Sequence, residues 1–92
     1  MDMQTQDVFS VSFAKQVGDL IAGRRERLGV AQKILSQLCG FNPNALGKIE
    51  RGEVQVGLEN FLIIAWYLEM PVEDFEFLIR IIGNWLSSKA AQ

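Results

Sequence analysis

The chain has 92 residues, 49% of them hydrophobic, with nine Lys/Arg against eleven Asp/Glu for a net charge of −2, one cysteine and no histidine. That length accommodates one small domain with a thin margin of stability, and an apolar content this high argues against general disorder. With no histidine, nucleophile–base pair, metal-ligand cluster or glycine-rich phosphate loop, neither catalysis nor a metal or cofactor site is expected.

In chain order, residues 1–12 read as a flexible N-terminal arm. Residues 1–7 are polar and lack the basic start and apolar stretch of a secretory signal. Phe9, Val11 and Phe13 then alternate with Ser10 and Ser12, which is strand-like. This stretch reads as an extended lead-in with Phe9 on the core, or as a short arm pairing with a partner chain. Ser12 can cap a first helix over 13–28, with Phe13, Val17, Leu20, Ile21 and Leu28 on one face. Gly18 and Gly23 each weaken that helix by ~1 kcal/mol relative to Ala, so close approach to a neighbouring helix is expected at both. Arg24, Arg25 and Arg27 form a basic end that also suits the helix dipole.

A second helix is predicted over 31–39, with Ile34, Leu35 and Leu38 on its apolar side and Ala31 supplying no side-chain cap. Cys39 cannot form an intrachain disulfide and reads as a small packing residue. Gly40 can stop the helix in the left-handed region. Asn42 and Pro43 suit the N-cap and first turn of a third helix over 43–51. Leu46 and Ile49 point inward, Gly52 ends the helix, and the outward side offers Asn44, Gly47, Lys48 and Arg51. Up to residue 52 the chain carries seven Lys/Arg against five Asp/Glu, a balance of +2; the remainder carries two against six, a balance of −4. Local positive charge around these two short helices is what would attract a polyanion.

Residues 54–57 form a loop before a fourth helix over 58–68. Ile63, Ile64, Trp66 and Tyr67 leave that helix little polar surface beyond Glu59, Asn60 and the following Glu69, so it should be covered on both faces. Pro71 breaks the chain. A fifth helix follows over 72–86, with Glu73, Asp74 and Glu76 near its start, and residues 87–92 read as a polar tail. Its apolar residues fall in two stripes, Phe75, Leu78, Ile79, Ile82 and Leu86 in one, Phe77, Ile81 and Trp85 in the other. One stripe should meet the chain's own core. The other, with Ile63 and Trp66, is a candidate homodimer interface. No apolar run approaches the ~20 residues of a membrane span, so no membrane association and a cytoplasmic location are expected.

The spacing QxxLxxLxGxxxxxLxxIERG, carried by Gln32, Leu35, Leu38, Gly40, Leu46, Ile49, Glu50, Arg51 and Gly52, resembles the lambda-repressor-like (Xre/Cro-type) helix-turn-helix family. The resemblance extends back through RRERLG and forward through LENFLIIAWYLEMPVEDF, about two thirds of the chain. It implies an all-α fold of five helices in which the second and third form a helix-turn-helix and the C-terminal helix serves dimerisation, the whole domain occupying 13–86. It also implies that Gln32 contacts phosphate and that Pro43, Asn44, Gly47 and Lys48 occupy base-reading positions. Asn44 suits adenine and Lys48 guanine O6/N7, while Asn42, Arg51 and Gln55 are in a position to touch phosphate. Gln32 is also placed to orient Asn44. The resemblance further implies a largely buried ion pair between Arg25 and Glu50 that is structural. Pro43 and Gly47 bring no side-chain hydrogen bond, and Glu53 would face or repel phosphate.

These readings lead to a sequence-specific, double-stranded-DNA-binding transcriptional regulator, a repressor acting as a homodimer on an inverted repeat. The competing reading is a protein-interaction module on the same fold, antitoxin- or antirepressor-like, that binds a protein partner through apolar surface around Ile34, Ile63, Trp66 and Trp85. Nothing in the residues points to an effector-binding or self-cleaving domain.

Overall fold

The computed structural model describes residues 3–90, with side-chain surroundings from residue 8 onward. Among the described residues there are five helices and no strand: α1 (Met3–Arg27), α2 (Gln32–Cys39), α3 (Ala45–Glu50), α4 (Leu58–Tyr67) and α5 (Val72–Ala90). None is long and apolar enough to cross a membrane.

The core is built where the helices present residues three and four apart. Val17 and Ile21 of α1, Leu35 of α2, Leu46 and Ile49 of α3, Phe61 and Ile64 of α4, Leu68 at the end of α4 and Leu78 of α5 form one buried cluster. Phe75 meets Phe61 edge to face at 5.8 Å between ring centroids, a favoured aromatic geometry. α3 lies against α1 at backbone distance. A Cβ on Gly18 would stand 2.4 Å from the carbonyl oxygen of Ile49, and one on Gly52 would stand 2.8 Å from Cα of Lys15. Gly52 also has φ +73°, so both space and backbone conformation require glycine there.

α1 is tied to the far side of the domain by Arg24. Its Nε donates to the carbonyl oxygen of Leu68 at 3.1 Å and its Nη2 to that of Glu69 at 3.0 Å. These carbonyls lie at the end of α4, where the helix itself leaves acceptors unpaired. Arg24 is therefore structural. Glu69, with φ +51°, completes the same turn in the left-handed region, at a cost of ~1 kcal/mol for a residue with a Cβ.

Several expectations change. Residues 3–12 are the first turns of α1 and not an extended arm or strand. The Phe9–Val11–Phe13 alternation is overridden because Phe9 and Phe13 are also four apart. In the helix they stack at 5.7 Å, and Phe9 stacks on Trp85 at 4.2 Å. Ser12 is consequently a helix-interior residue, its Oγ accepting from Gln16 Nε2 at 3.3 Å. α5 continues through most of the expected tail, with Lys89 Nζ 4.9 Å from the centre of the Trp85 ring one turn earlier. Residues 1, 2, 91 and 92 of the expected arm and tail lie outside the described residues.

Gly23 has open space beside it, so no neighbour requires it. Ile34 and Leu38 of α2 and Leu28 beyond α1 are exposed, and only Leu35 of the predicted α2 stripe reaches the core. α4 is buried along one side only; its other side leaves Leu58, Leu62 and Trp66 at the surface, with Trp66 79% exposed. The division of α5 into two stripes is also redrawn. Leu78 is buried and Phe75 and Ile81 pack against the core, whereas Ile79 and Leu86 point outward.

Candidate nucleic-acid interface

α2 begins after Ala31, whose backbone is extended and whose side chain makes no cap. It ends at Gly40 in the left-handed region, φ 74°, with the Phe41 amide donating to the Ser36 carbonyl at 2.9 Å. Asn42 turns the chain into α3. Its Oδ1 accepts the Asn44 amide at 3.0 Å, and its carbonyl accepts the Ala45 amide at 2.9 Å. The residues 43–44 are a turn, so α3 starts at Ala45, two residues later than predicted. Buried Leu46 and Ile49 hold α3 on the core and turn Asn44 and Lys48 outward.

Beneath α3 lies a polar clamp. Arg25 Nε and Nη2 donate to Glu50 Oε2 and Oε1 at 2.7 and 2.9 Å, a bidentate pair with side-chain exposures of 12% and 6%. Arg25 Nη1 also donates to the carbonyl of Val30 at 2.8 Å, and Gln32 Nε2 donates to Glu50 Oε1 at 2.9 Å. Every buried charge therefore has partners, which is the condition for tolerating it. The Glu50 hydrogen bond holds the Arg25 guanidinium more firmly protonated than usual, against the opposing effect of burial. The Gln32 amide is directed at Glu50, and this replaces the expected orientation of Asn44. Burial pushes the Cys39 thiol up, so it stays protonated and poorly nucleophilic at neutral pH.

The outer surface of α3 carries two neighbouring rows, each with a spacing of four. In the first row, Asn44 and Lys48 line a groove of about 450 Å³ together with Asn42, Gln55 and Asn60. Gln55 is fixed there by donating from Nε2 to the carbonyl of Ser10 at 2.9 Å, which ties the loop after α3 to α1. Asn60, a carboxamide early in the otherwise apolar α4, joins this groove although it lies outside the helix-turn-helix spacing. Pro43 is exposed beside this groove. In the second row Gly47 is buried, contrary to its expected outward position, because Arg51 folds over it. Arg51 Nη1 is 3.1 Å from where a Gly47 Cβ would be, Gln32 Oε1 is 3.5 Å from the same point, and Arg51 Nε donates to Glu53. Glu53 holds the Arg51 guanidinium firmly protonated, while Arg51 first, and then Lys48 by its charge, keep the Glu53 carboxyl below its usual range.

The predicted dimer residues are divided. Trp66 lies exposed on α4 beside half-buried Ile63, and Phe77 is exposed on α5. Ile81 packs against the chain's own core, and Trp85 is half-buried beneath Phe9.

Two short helices joined by a left-handed glycine turn, the second presenting polar side chains outward and packed across a first long helix, define a helix-turn-helix domain. The chain aligns with the crystal structure of the clp gene regulator ClgR from Corynebacterium glutamicum with a TM-score of 0.65 and 22% identity, over 87% of this chain and 82% of that one. That likeness establishes the shared all-α fold. No family profile matches the chain, and no curated protein sequence matches it.

Proposed function

We propose that this protein is a sequence-specific, double-stranded-DNA-binding transcriptional regulator of the lambda-repressor-like type. It acts as a homodimeric repressor on an inverted repeat. The observation that carries the reading is the exposed Asn44–Lys48 row on a helix anchored by the Arg25–Glu50–Gln32 clamp. An α-helix fits the major groove of B-DNA, where a carboxamide can pair with adenine and an ammonium with guanine. Asn42, Gln55 and Asn60 line the same groove as those two readers, and Arg51, in the neighbouring row, is a phosphate ligand. Repression follows from occlusion of a promoter by the bound dimer.

Selection of bound fragments from a random duplex library, at low and then higher salt, tests this reading. Recovery of a palindrome supports it, with half-sites about one turn (~34 Å) apart. Recovery of nothing, from protein shown to be folded, favours the second reading, a protein-interaction module. The exposed apolar side of α4, with Leu58, Leu62 and Trp66, is the observation behind that alternative.

A further inference from the structure

We infer that Glu53 holds Arg51 in reserve: its carboxylate pins the guanidinium back over Gly47, and a DNA phosphate must displace it before Arg51 makes a contact. The inference rests on the DNA-binding reading and deepens it, by naming a residue that limits sequence-independent affinity.

Three observations converge on Glu53. The end of α3 sets its position. The Gly52 amide donates to the Ile49 carbonyl and the Glu53 amide to the Lys48 carbonyl, both at 3.0 Å. Gly52 is itself wedged against the backbone of Lys15. The carboxylate therefore emerges beside the last turn of α3 because of the fold, not through a free loop. It accepts from Arg51 Nε, while Nη1 of the same guanidinium lies 3.1 Å from where a Gly47 Cβ would be. The carboxylate also feels Lys48. One negative charge thus offsets both exposed cations at the C-terminal end of α3, Lys48 and its cap residue Arg51.

An exposed ion pair of this kind is weak. A phosphate that can accept two hydrogen bonds from a guanidinium is a strong competitor for Arg51. On a well-docked specific site the exchange is favoured by the neighbouring base contacts. On random sequence it is not, and the pair persists. Because phosphate contacts supply most non-specific affinity, Glu53 widens the gap between specific and non-specific binding by weakening the latter.

The test uses the full chain and a random-sequence duplex, with affinity measured by fluorescence anisotropy across salt concentrations. Glu53→Gln is expected to tighten binding about three- to tenfold, with a salt slope steeper by about one contact, ~0.9 in log–log terms. In an Arg51→Ala background the same substitution should change affinity by less than half as much on a logarithmic scale. Glu76→Gln, which removes an exposed carboxylate from α5, should leave affinity within about twofold, since a distant surface charge is screened. An equal gain with and without Arg51 would show simple repulsion and overturn the inference, as would unchanged affinity in Glu53→Gln. The pinned state is read without DNA from the Arg51 Nε–H resonance. It should exchange about two- to fivefold more slowly in the native chain than in Glu53→Gln, the protection an exposed pair can give; equal exchange in both overturns the pinning. No binding to any duplex by any variant, with the resonance behaving as expected, would instead sink the DNA-binding reading and leave the pair a surface feature.

Discussion

Asn44 and Lys48 carry the chemical case at the scale of single residues. Neither reaches into the core, so Asn44→Ala and Lys48→Ala should leave the helical circular dichroism and thermal midpoint unchanged. Each should cost ~1–3 kcal/mol of operator affinity, the worth of a good base contact. Normal operator affinity in both variants would remove them as readers. Arg25 behaves oppositely. It has no outward role, and its loss strands the buried Glu50 carboxylate beside Gln32 alone. Arg25→Ala should therefore lower unfolding free energy by ~3–5 kcal/mol, measured by urea titration, and any loss of DNA binding should follow unfolding. The difference lies in burial: a positive charge is solvated on one side of α3 and is a structural cross-link on the other.

At the scale of elements, the crossing of α1 and α3 positions the candidate interface, and two glycines of one helix test it. Gly18 sits where α3 carbonyl groups approach too closely for any side chain. Gly18→Ala must push the two backbones apart, and a loss of at least ~2 kcal/mol is expected, at the upper end of overpacking costs. Gly23 faces open space in the same helix. Gly23→Ala should raise stability by ~0.5–1 kcal/mol, the ordinary helix-propensity difference. Denaturant midpoints of the two variants moving in the same direction would contradict the packing described for α1. The N-terminal turns of α1 and the C-terminal turns of α5 form a second contact through Phe9 and Trp85, which lengthens both helices beyond their predicted ends.

At the scale of the whole molecule, the domain spans 44 × 25 × 20 Å and leaves a good deal of apolar surface uncovered. Leu58, Leu62 and Trp66 on α4 and Ile79 and Leu86 on α5 are all exposed. Exposed apolar side chains of this size are the basis on which an association surface is proposed here. A homodimer using α4 predicts that Trp66→Ser shifts sedimentation from dimer to monomer and weakens operator binding, while leaving the helical content intact. A chain that sediments as a monomer before any substitution would place the interface with another protein.

Much of the helix-turn-helix follows from rules that act over four residues. The inward spacing of Leu35, Leu46 and Ile49, the left-handed stops at Gly40 and Gly52, and the turn begun by Asn42 depend on near neighbours, and the sequence by itself determined them. The resemblance to a family supplied the Arg25–Glu50 pairing, which spans 25 positions and which spacing alone does not reveal. What only the tertiary structure decided depends on distant partners. Phe9 and Trp85 meet across 76 positions and turn an alternating stretch into helix. Ile34 and Leu38 fall on the predicted apolar side of α2, yet nothing in the described chain covers them. Gly47 looked open and is closed by Arg51, which Glu53 draws back across it. Local backbone preference decides where each short helix starts and stops; which of its faces is buried is decided by what the remainder of the chain can bring against it.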